Sequence, residues 1–488
     1  MKEHYYVALD IGSSSVKAIV GEKFHEGVNI IGTGQTFTDG ISKGMIRDYD
    51  LARSAINDTI KKASISSGVE IDEVFLKMPV TDTALRFSEE SLRFGGESTE
   101  INGEHIEELL ENIRNREMAD EREVVTVYPR HFVVDELHEV VDPKEMIATQ
   151  SLSVEAGTLL TNRTVLINTV KCVEDTGLTV LDVYSDAVNY SHVLSESEIE
   201  LGSVVIDIGA ELTQFAYYER GSLKYASSIP VGGKNVTNDL AQAFNTSHEA
   251  AEKAKTQYGH AFYEHANDTD IIRLPQNDSG EDIEVTPKDL ADIIELRIEE
   301  IFNSVFERLY QSGIAKVSGG FVITGGTANI LGIKELLQDI VTEKVRVHIP
   351  NQMGARKPEF SSAISTVASG IMFDELLEYV TIDNYGAAPE QYASESSDNK
   401  DSNFFSGLFT QRKEKNESEL QREETFVEEE PVKEEPSETE EVVQDVDYQE
   451  YTYDDDAKVT DENRESARQK EPQDFGTKMK KIFKNLFE

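Results

Sequence analysis

The sequence contains only one cysteine, Cys172, so an intramolecular disulfide is excluded and a reducing compartment is expected. Its neighbours are mostly apolar, which predicts a core position. No apolar run reaches the roughly 18 residues that a membrane-spanning helix needs. The N-terminus also lacks the basic and apolar segments of a secretory signal. These absences predict a soluble intracellular protein.

Basic residues are scarce as well. Lysine and arginine total 47 against 93 acidic residues, giving a formal net charge of -46. This balance argues against a general nucleic-acid binder, which needs clustered cations to neutralise phosphates. We therefore expect no nucleic-acid partner.

The composition changes along the chain. Up to about residue 385, strand-like and helix-like apolar patterns alternate, separated by short Gly-rich connections. Residues 389–473 are acidic and nearly free of periodicity, so they cannot bury enough apolar area to offset ordering, and a disordered linker is predicted. Residues 474–488 become basic and apolar. The sequence therefore predicts a folded head, a flexible linker and a short terminal element.

One strand-and-turn pattern occurs twice in the head. "ALDIGSSSVKAIVGE" and "VIDIGAELTQFAYYE" each run an apolar strand into Asp-Ile-Gly, a small polar loop and a second strand. Asp10 and Asp207 stand at the two strand ends. Gly12 and Gly209 let phosphate approach the backbone, and loop N–H groups and hydroxyls can donate to it. A carboxylate at each strand end suits a hydrated Mg²⁺ between two similar lobes.

A third motif, "GGFVITGGTANILGIKELL", ends a strand at Thr324-Gly325-Gly326. Consecutive glycines let a flat ring lie against bare backbone, and a helix is predicted to begin near Asn329. We interpret this strand end as an adenosine contact. The Walker pattern is absent, and no G-x-G-x-x-G follows a strand, so neither a P-loop nor a dinucleotide fold is predicted.

The three motifs, in this order, resemble the superfamily of actin, sugar kinases and heat-shock-chaperone ATPases, and within it the FtsA family of actin-like division proteins. The resemblance covers about residues 4–385. It implies an α/β fold of two duplicated, ribonuclease-H-like lobes with an inserted α+β subdomain. It also implies contacts to ATP and Mg²⁺ from Asp10, Gly12, Ser13, Ser14, Ser15, Lys17, Asp207, Gly209, Thr213, Gly232, Gly233, Glu252, Lys255, Gly325, Gly326 and Thr327.

The Mg²⁺ would be held through Asp10 and Asp207, mainly by way of water. Glu252 and Lys255 are assigned to adenosine by a looser match, because E-x-x-K spacing also arises in ordinary surface pairs.

The resemblance also divides the chain. The first lobe comprises residues 1–85 and 164–200, interrupted by an inserted subdomain at 86–163 for contacts between subunits and with later division proteins. The second lobe spans 201–350 and carries a helical insert at about 234–312 for the acidic C-terminal peptide of FtsZ, with Arg297 as its basic contact. Residues 351–388 return to the first lobe. An ordinary solvated arginine on an amphipathic helix is the alternative reading of Arg297.

Catalysis is a separate question. In relatives, an acid or amide after the last helix of the first lobe positions the attacking water. Ser185 falls at this place and Asp186 follows it, and the one-residue offset predicts that the Asp186 side chain points elsewhere. The resemblance therefore implies ATP binding and at most a weak ATPase.

The last residues, "DFGTKMKKIFKNLFE", place apolar side chains at helical spacing with lysines on the flanks. Such a helix favours an anionic membrane surface. The predicted membrane contacts are Phe475, Lys478, Met479, Lys481, Ile482, Phe483, Lys484, Leu486 and Phe487. The alternative is a helix that docks on its own core or on a partner groove.

Two main functions remain open. One is an ATP-bound, filament-forming adaptor that assembles head-to-tail on the cytoplasmic face of the membrane at the division septum. There it would link FtsZ and recruit later division proteins. The other is a small-molecule kinase of sugar type with the same fold; a chaperone-like factor is a third. A kinase needs a general base beside its acceptor hydroxyl, for which the sequence offers no candidate outside the phosphate motifs.

Overall fold

The computed structural model describes residues 5–25, 27–117, 121–277 and 281–377. The predicted acidic linker and the terminal amphipathic helix lie outside these residues, and so do all nine predicted membrane contacts. Within the described ranges, no helix combines the length and apolar character needed to cross a bilayer.

The first lobe begins with an antiparallel meander whose first two strands are mostly buried. A hairpin, a helix and a parallel strand follow. The elements are β1 (Tyr6–Ile11), β2 (Ser15–Phe24), β3 (Gly27–Phe37), β4 (Ile41–Ser42), β5 (Met45–Ile46), α1 (Tyr49–Ser67) and β6 (Glu73–Met78). The Asp48 carboxylate caps α1 by accepting from the N–H groups of Asp50 and Leu51.

An inserted α+β subdomain interrupts this lobe. Its main sheet is antiparallel, in the order β10-β9-β12-β7, and the apolar face of α2 packs on it through Ile106, Leu109 and Ile113. The elements are β7 (Ala84–Arg93), β8 (Thr99–Glu100), α2 (Gly103–Arg116), β9 (Arg122–Val134), β10 (His138–Val140), β11 (Ile147–Ala148) and β12 (Ser151–Asn162).

The first lobe then resumes and its sheet is completed. The elements are α3 (Arg163–Glu174), β13 (Thr179–Ser185), α4 (Asp186–Asn189) and α5 (Glu196–Leu201). The sheet order is β13-β6-β1-β2-β3. Cys172 on α3 is fully buried, as predicted.

The second lobe repeats this sheet. Its elements are β14 (Ser203–Ile208), β15 (Thr213–Glu219), β16 (Ser222–Ile229), α6 (Gly233–Ala243), α7 (His248–Tyr258), β17 (Ile272–Pro275), β18 (Asp282–Val285), α8 (Pro287–Gln311), β19 (Gly320–Thr324), α9 (Ile333–Ile340) and β20 (Val345–Val347). The order β20-β19-β14-β15-β16 matches β13-β6-β1-β2-β3 strand for strand. The predicted helical insert also contains a two-stranded sheet, β17 with β18.

One expected helix start is wrong. Residues Gly326–Asn329 form a single 3₁₀ turn, and α9 begins only at Ile333. The backbone of Gly332 is left-handed, with φ 82°, which no continuous right-handed helix can include.

A last helix, α10 (Ser361–Leu376), returns to the first lobe. Its residues Ala363 and Val367 share a core with Ala8 and Ile19. A second buried cluster spans the floor between the lobes, including Tyr184 and Tyr190 from the first and Tyr218 from the second. The predicted two-lobed, duplicated actin-like fold with an inserted subdomain is therefore confirmed.

Candidate functional site: the cleft between the two lobes

The duplicated motifs face the same cleft. The first turn (residues 10–15) is closed by the Gly12 N–H, which donates to the Ser15 carbonyl at 3.2 Å. The second turn (residues 207–212) is closed by the Gly209 N–H, which donates to the Leu212 carbonyl at 2.9 Å. The repeated sequence therefore produces the same backbone turn twice.

Asp10, at the end of β1, is held by two ammonium groups. Lys17 on β2 lies 3.1 Å from one carboxylate oxygen, and Lys77 on β6 lies 3.0 Å from the other. Burial alone would raise the pKa of Asp10, but the two lysines outweigh it and lower the pKa to about 2. Asp10 is thus a fully compensated, ionised carboxylate.

Asp207, at the end of β14, has different surroundings. The Tyr190 hydroxyl donates to its Oδ2 at 2.9 Å, and the carboxyl group is buried. Burial and the neighbouring Asp186 raise the pKa of Asp207 to about 6, while the more distant Lys77 acts in the opposite direction. Among the described residues, no ammonium group forms an ion pair with Asp207 as Lys17 and Lys77 do with Asp10, so Asp207 is the carboxylate better suited to a cation.

Asp186 lies beneath the cleft: its side chain is fully buried and does not line the cleft, although it contacts Lys77, Gln214 and Ser362, which do. β13 ends at Ser185, whose hydroxyl caps α4, and Asp186 is the first residue of this helix. That the Asp186 side chain does not position an attacking water stays a prediction. Lys77 binds Asp186 at 2.8 Å, Gln214 donates to it at 2.9 Å, and the Ser362 hydroxyl donates to its other oxygen. Both oxygens therefore already have partners.

The cleft has a volume of about 670 Å³. Of the residues predicted to contact ATP or Mg²⁺, all but Thr213 and Gly232 line it. Thr213 is buried and its hydroxyl donates to the Val231 carbonyl at 2.8 Å, so the expected phosphate contact from this side chain is wrong. Gly232 packs against the second turn, where a Cβ would lie 2.6 Å from the Gly209 carbonyl oxygen.

Glu252 and Lys255 lie at the cleft rather than forming a simple surface pair. Lys255 is almost fully buried, binds Glu252 at 2.7 Å and donates to the Gly233 carbonyl at 2.9 Å. Burial lowers the pKa of Lys255, although Glu252 opposes the change. The pair therefore ties α7 to the start of α6, beside the glycine strand end.

The two glycines at the end of β19 differ. Gly325 has φ 89° and packs directly against Asp207, so a Cβ there would overlap the Asp207 carboxylate. A Cβ on Gly326 would meet only the Glu359 Cβ, at 3.9 Å. Gly325 is required by the backbone, whereas Gly326 leaves cleft space open for a ligand.

These residues suit Mg²⁺ only as a largely hydrated ion. Among the described residues, no cluster of three or more His, Cys, Asp or Glu side chains could form a metal site of protein ligands. Mg²⁺ commonly keeps several waters and uses one or two carboxylates together with substrate phosphates. The buried Asp207 carboxylate fits that role, and Asp10, already paired with two lysines, fits it less well.

Comparison with known proteins decides the family. The chain is 51% identical to the cell division protein FtsA of Staphylococcus epidermidis over the full length of both chains. It is 35% identical to FtsA of Bacillus subtilis over 74% of this chain and 82% of that protein. The chain belongs to the FtsA family of cell division proteins.

Family models agree with this membership of the FtsA family. The model described as cell division protein FtsA matches residues 204–365, and the SHS2 domain inserted in FtsA matches residues 84–158. A solved PilM–PilN type IV pilus biogenesis complex superimposes with a TM-score of 0.53 at 16% identity, covering 76% of this chain and 99% of that one. That structural likeness concerns the fold alone.

In this FtsA-family protein, the sequence motifs did not predict Lys77, Gln214 and Lys234, three of the polar residues that line the cleft. Lys77 and Gln214 contact Asp186, and Lys234 lines the cleft at the start of α6. Signals existed: Lys77 is the charged residue within the apolar run "VFLKM", and Lys234 directly follows Gly232-Gly233. Gln214 follows Asp207 by the same interval that separates Lys17 from Asp10.

Arg297 lies on α8, away from the residues that line the cleft. Its guanidinium forms a two-pronged pair with Asp239 on α6, at 2.7 and 2.9 Å, and also donates to Glu300 at 2.8 Å. Arg297 is therefore not a freely solvated arginine, because Asp239 and Glu300 already bind its guanidinium. A peptide carboxylate would bind beside these two acids or displace one of them.

Proposed function

We propose that the cleft binds ATP with Mg²⁺. The observation that carries the proposal is the pair of matched turns facing one cleft, with Lys17 and Lys77 at its floor. The close backbone approach at the turn glycines, the serine hydroxyls of the first turn and these ammonium groups suit phosphates. The open backbone at Gly326 suits a flat ring. Mg²⁺ would supply charge neutralisation of the phosphates beside Asp207.

Gly326→Val tests the ring position. The new Cβ would meet no backbone atom within 4 Å, so the fold should persist while the cleft space is filled. We expect ATP affinity measured by calorimetry to fall at least tenfold, about 1.4 kcal/mol. Gly27→Val is the matched control, because Gly27 lies at the start of β3, outside the cleft lining, and its Cβ would meet only one atom within 4 Å. Unchanged affinity in Gly326→Val would refute the adenosine assignment.

We further propose that ATP turnover is weak or absent. Lys77, Gln214 and Ser362 bind the two carboxylate oxygens of Asp186, so this carboxylate is not free to activate a water. Phosphate release measured with the purified protein should be slow compared with ordinary ATPases, and phosphotransfer to a panel of sugars should be undetectable. Transfer to any sugar would favour the kinase alternative.

For a partner, we propose the acidic C-terminal peptide of FtsZ at Arg297. Charge-assisted hydrogen bonds are worth about 1.5–3 kcal/mol, so Arg297→Glu should weaken peptide binding at least tenfold in fluorescence anisotropy. Asp239→Asn is the informative companion: it removes the charge that pairs with Arg297 and should strengthen binding. A dissociation constant unchanged in both variants would remove Arg297 from the site.

We also propose that the protein assembles head-to-tail on the cytoplasmic face of the membrane at the septum, where it recruits later division proteins. Three strongly exposed apolar side chains of the inserted subdomain, Leu137, Val141 and Ile147, support its role in subunit contacts. Leu137→Glu should shorten or abolish filaments seen by electron microscopy with ATP and lipid. The same variant should retain ATP binding, and normal filaments would argue against this surface.

Membrane attachment is proposed for residues 474–488. Truncation after Gln473 should release the protein from anionic vesicles in co-sedimentation, and Phe483→Glu should do nearly the same by placing a charge on the apolar face. Many such helices on one filament would bind by avidity. Full co-sedimentation of either variant would rule out this anchor.

A further inference from the structure

The second turn contains an acidic residue where phosphate would make one unfavourable. Glu211 occupies the position equivalent to Ser14 of the first turn. A carboxylate facing bound phosphates would repel them. The side chain is directed elsewhere: its Oε2 accepts from the Ser42 hydroxyl at 2.6 Å and from the Lys43 N–H at 3.0 Å. Glu211 therefore reaches from the second lobe to the β4–β5 hairpin of the first.

Lys234 adds a second link between the lobes. Its Nζ lies 2.7 Å from Glu211 Oε1 and donates to the Ser13 carbonyl of the first turn at 3.1 Å. Burial alone would raise the pKa of Glu211, but the bonds from Lys234, Ser42 and Lys43 hold it below the usual value. The carboxylate is thus ionised at neutral pH and bonded to both lobes. We call Glu211, Lys234, Ser42 and Lys43 the interlobe clasp.

The hairpin tip is shaped to meet Glu211. Lys43 and Gly44 both have left-handed backbone, with φ 49° and 75°, and this turn presents the Lys43 N–H to the carboxylate. Gly44 packs closely on Pro79, where a Cβ would lie 2.9 Å from Cγ. The first lobe therefore fixes the conformation of the tip, and the clasp fixes its place against the second turn.

The clasp differs in kind from the cleft floor. At the floor, side chains of both lobes share one buried apolar cluster, and the polar contacts between the lobes, Gln214 with Asp186 and Tyr190 with Asp207, are themselves buried. At the clasp the lobes are joined by polar bonds, and the side chains of Glu211 and Lys234 are 19% and 27% exposed. Separating the lobes at the floor would expose apolar core, whereas opening the clasp exchanges partly exposed hydrogen bonds for water. Separating the lobes should therefore cost less at the clasp than at the floor.

We propose that Glu211 is a positioning residue that holds the Ser42–Lys43 tip beside the two turns and slows nucleotide release. The proposal rests on the nucleotide binding proposed above. Glu211 itself is not among the residues that line the cleft, so it acts through the closed arrangement and not as a phosphate ligand.

The test is release of a fluorescent ATP analogue with Mg²⁺, measured by stopped flow. In Glu211→Ala we expect the release rate to rise about tenfold, which corresponds to about 1.4 kcal/mol. Glu284→Ala is the matched control. Glu284 is also an acidic residue of the second lobe, and it forms an ion pair with Arg273 on the β17–β18 hairpin. The release rate of this variant should equal that of the parent. An unchanged rate in Glu211→Ala overturns the proposal.

A double variant tests whether the bonds act together. Ser42→Ala should speed release less than Glu211→Ala, and the double variant should release no faster than Glu211→Ala alone, because both changes break one contact. Additive effects would show that Glu211 acts by another route and would overturn the proposal.

Hydrogen exchange in the nucleotide-free protein tests the clasp independently of ATP binding. The Lys43 amide donates to Glu211, so its exchange should accelerate in Glu211→Ala while amides of β1 and β14 are unchanged. Unchanged Lys43 exchange overturns the clasp. Parent protein that does not bind the analogue refutes the proposed function and, with it, the role in release.

Discussion

The first turn and the second turn have the same backbone in opposite electrostatic surroundings. In each lobe the aspartate pairs with one residue of the next, antiparallel strand and one residue of a parallel neighbour. For Asp10 these partners are Lys17 and Lys77, and for Asp207 they are Gln214 and Thr324. The duplicated fold thus provides equivalent positions, and the residues at those positions decide which aspartate is compensated.

This difference suggests a division of labour in the cleft. Asp10 organises two ammonium groups beneath the proposed phosphates. Asp207 has the Tyr190 hydroxyl and the neighbouring Asp186 instead, and is the better place for a cation. Duplication therefore preserved the geometry of the turns while their charges diverged.

The largest expected effect follows from removing Lys77, which the Asp10 and Asp186 carboxylates share. In Lys77→Met the free energy of unfolding should fall by about 3–5 kcal/mol, because buried charges lose their partner. Urea denaturation measures the change. Lys17→Met is the control and should cost less, since Asp10 keeps Lys77. Equal losses in both variants would contradict the idea that Lys77 serves two carboxylates.

Replacing Asp10 and Asp207 by asparagine, one at a time, should affect the stability of the nucleotide-free protein differently. Asp10→Asn leaves Lys17 without its carboxylate, and stability should fall by about 1–3 kcal/mol. Asp207→Asn removes a carboxylate whose pKa is raised to about 6, so stability at pH 7 should be unchanged or higher. Thermal and urea unfolding compare the two, and similar losses would mean that the turns are electrostatically alike.

The difference in stability between the parent and Asp207→Asn should depend on pH, and the raised pKa of Asp207 sets the direction of that dependence. The folded pKa of about 6 lies above the unfolded value, so the folded state binds the proton more tightly. The contribution of Asp207 is therefore fully present below the unfolded pKa and is lost as pH rises to about 6. Relative to Asp207→Asn, the parent should lose stability between pH 4 and 7. A difference that does not change with pH would refute the raised pKa.

Gln214→Lys would make the second turn resemble the first. An ammonium group at this position should pair with Asp207 or Asp186 and compete with a divalent cation. We expect the gain in ATP affinity that Mg²⁺ provides, about tenfold or more in the parent, to be largely lost. Calorimetry with Mg²⁺ and with EDTA measures it. A full Mg²⁺ effect in this variant would place the cation away from Asp207.

The smallest effect is expected for Tyr190→Phe. It removes one hydroxyl donor from Asp207 and should cost about 1 kcal/mol of stability at pH 7. In the Asp207→Asn background the cost should shrink, because a neutral amide needs the donor less. A larger loss of stability than in Lys77→Met would contradict the expectation that the contacts of Asp10 contribute more to stability than those of Asp207.

Several features were predictable from local sequence. The repeated Asp-Ile-Gly turns, the glycine strand end and the inserted subdomain each have a signal in a short stretch, because turn chemistry and strand alternation are set by neighbouring residues. Finer local features were not: the 3₁₀ turn before α9 depends on a left-handed Gly332 that composition alone does not reveal.

Tertiary structure decided the charges of the cleft. Lys77, Asp186 and Gln214 are distant in sequence from Asp10 or from one another, and only the parallel pairing of β6 with β1 and the inward start of α4 bring them together. Tertiary structure also decided the partners of Thr213 and Arg297. The Thr213 hydroxyl donates to the Val231 carbonyl, and the Arg297 guanidinium donates to Asp239 on another helix. A sequence determines which groups can ionise or donate, but their partners and pKa values depend on distances of a few ångströms that exist only after the lobes have packed.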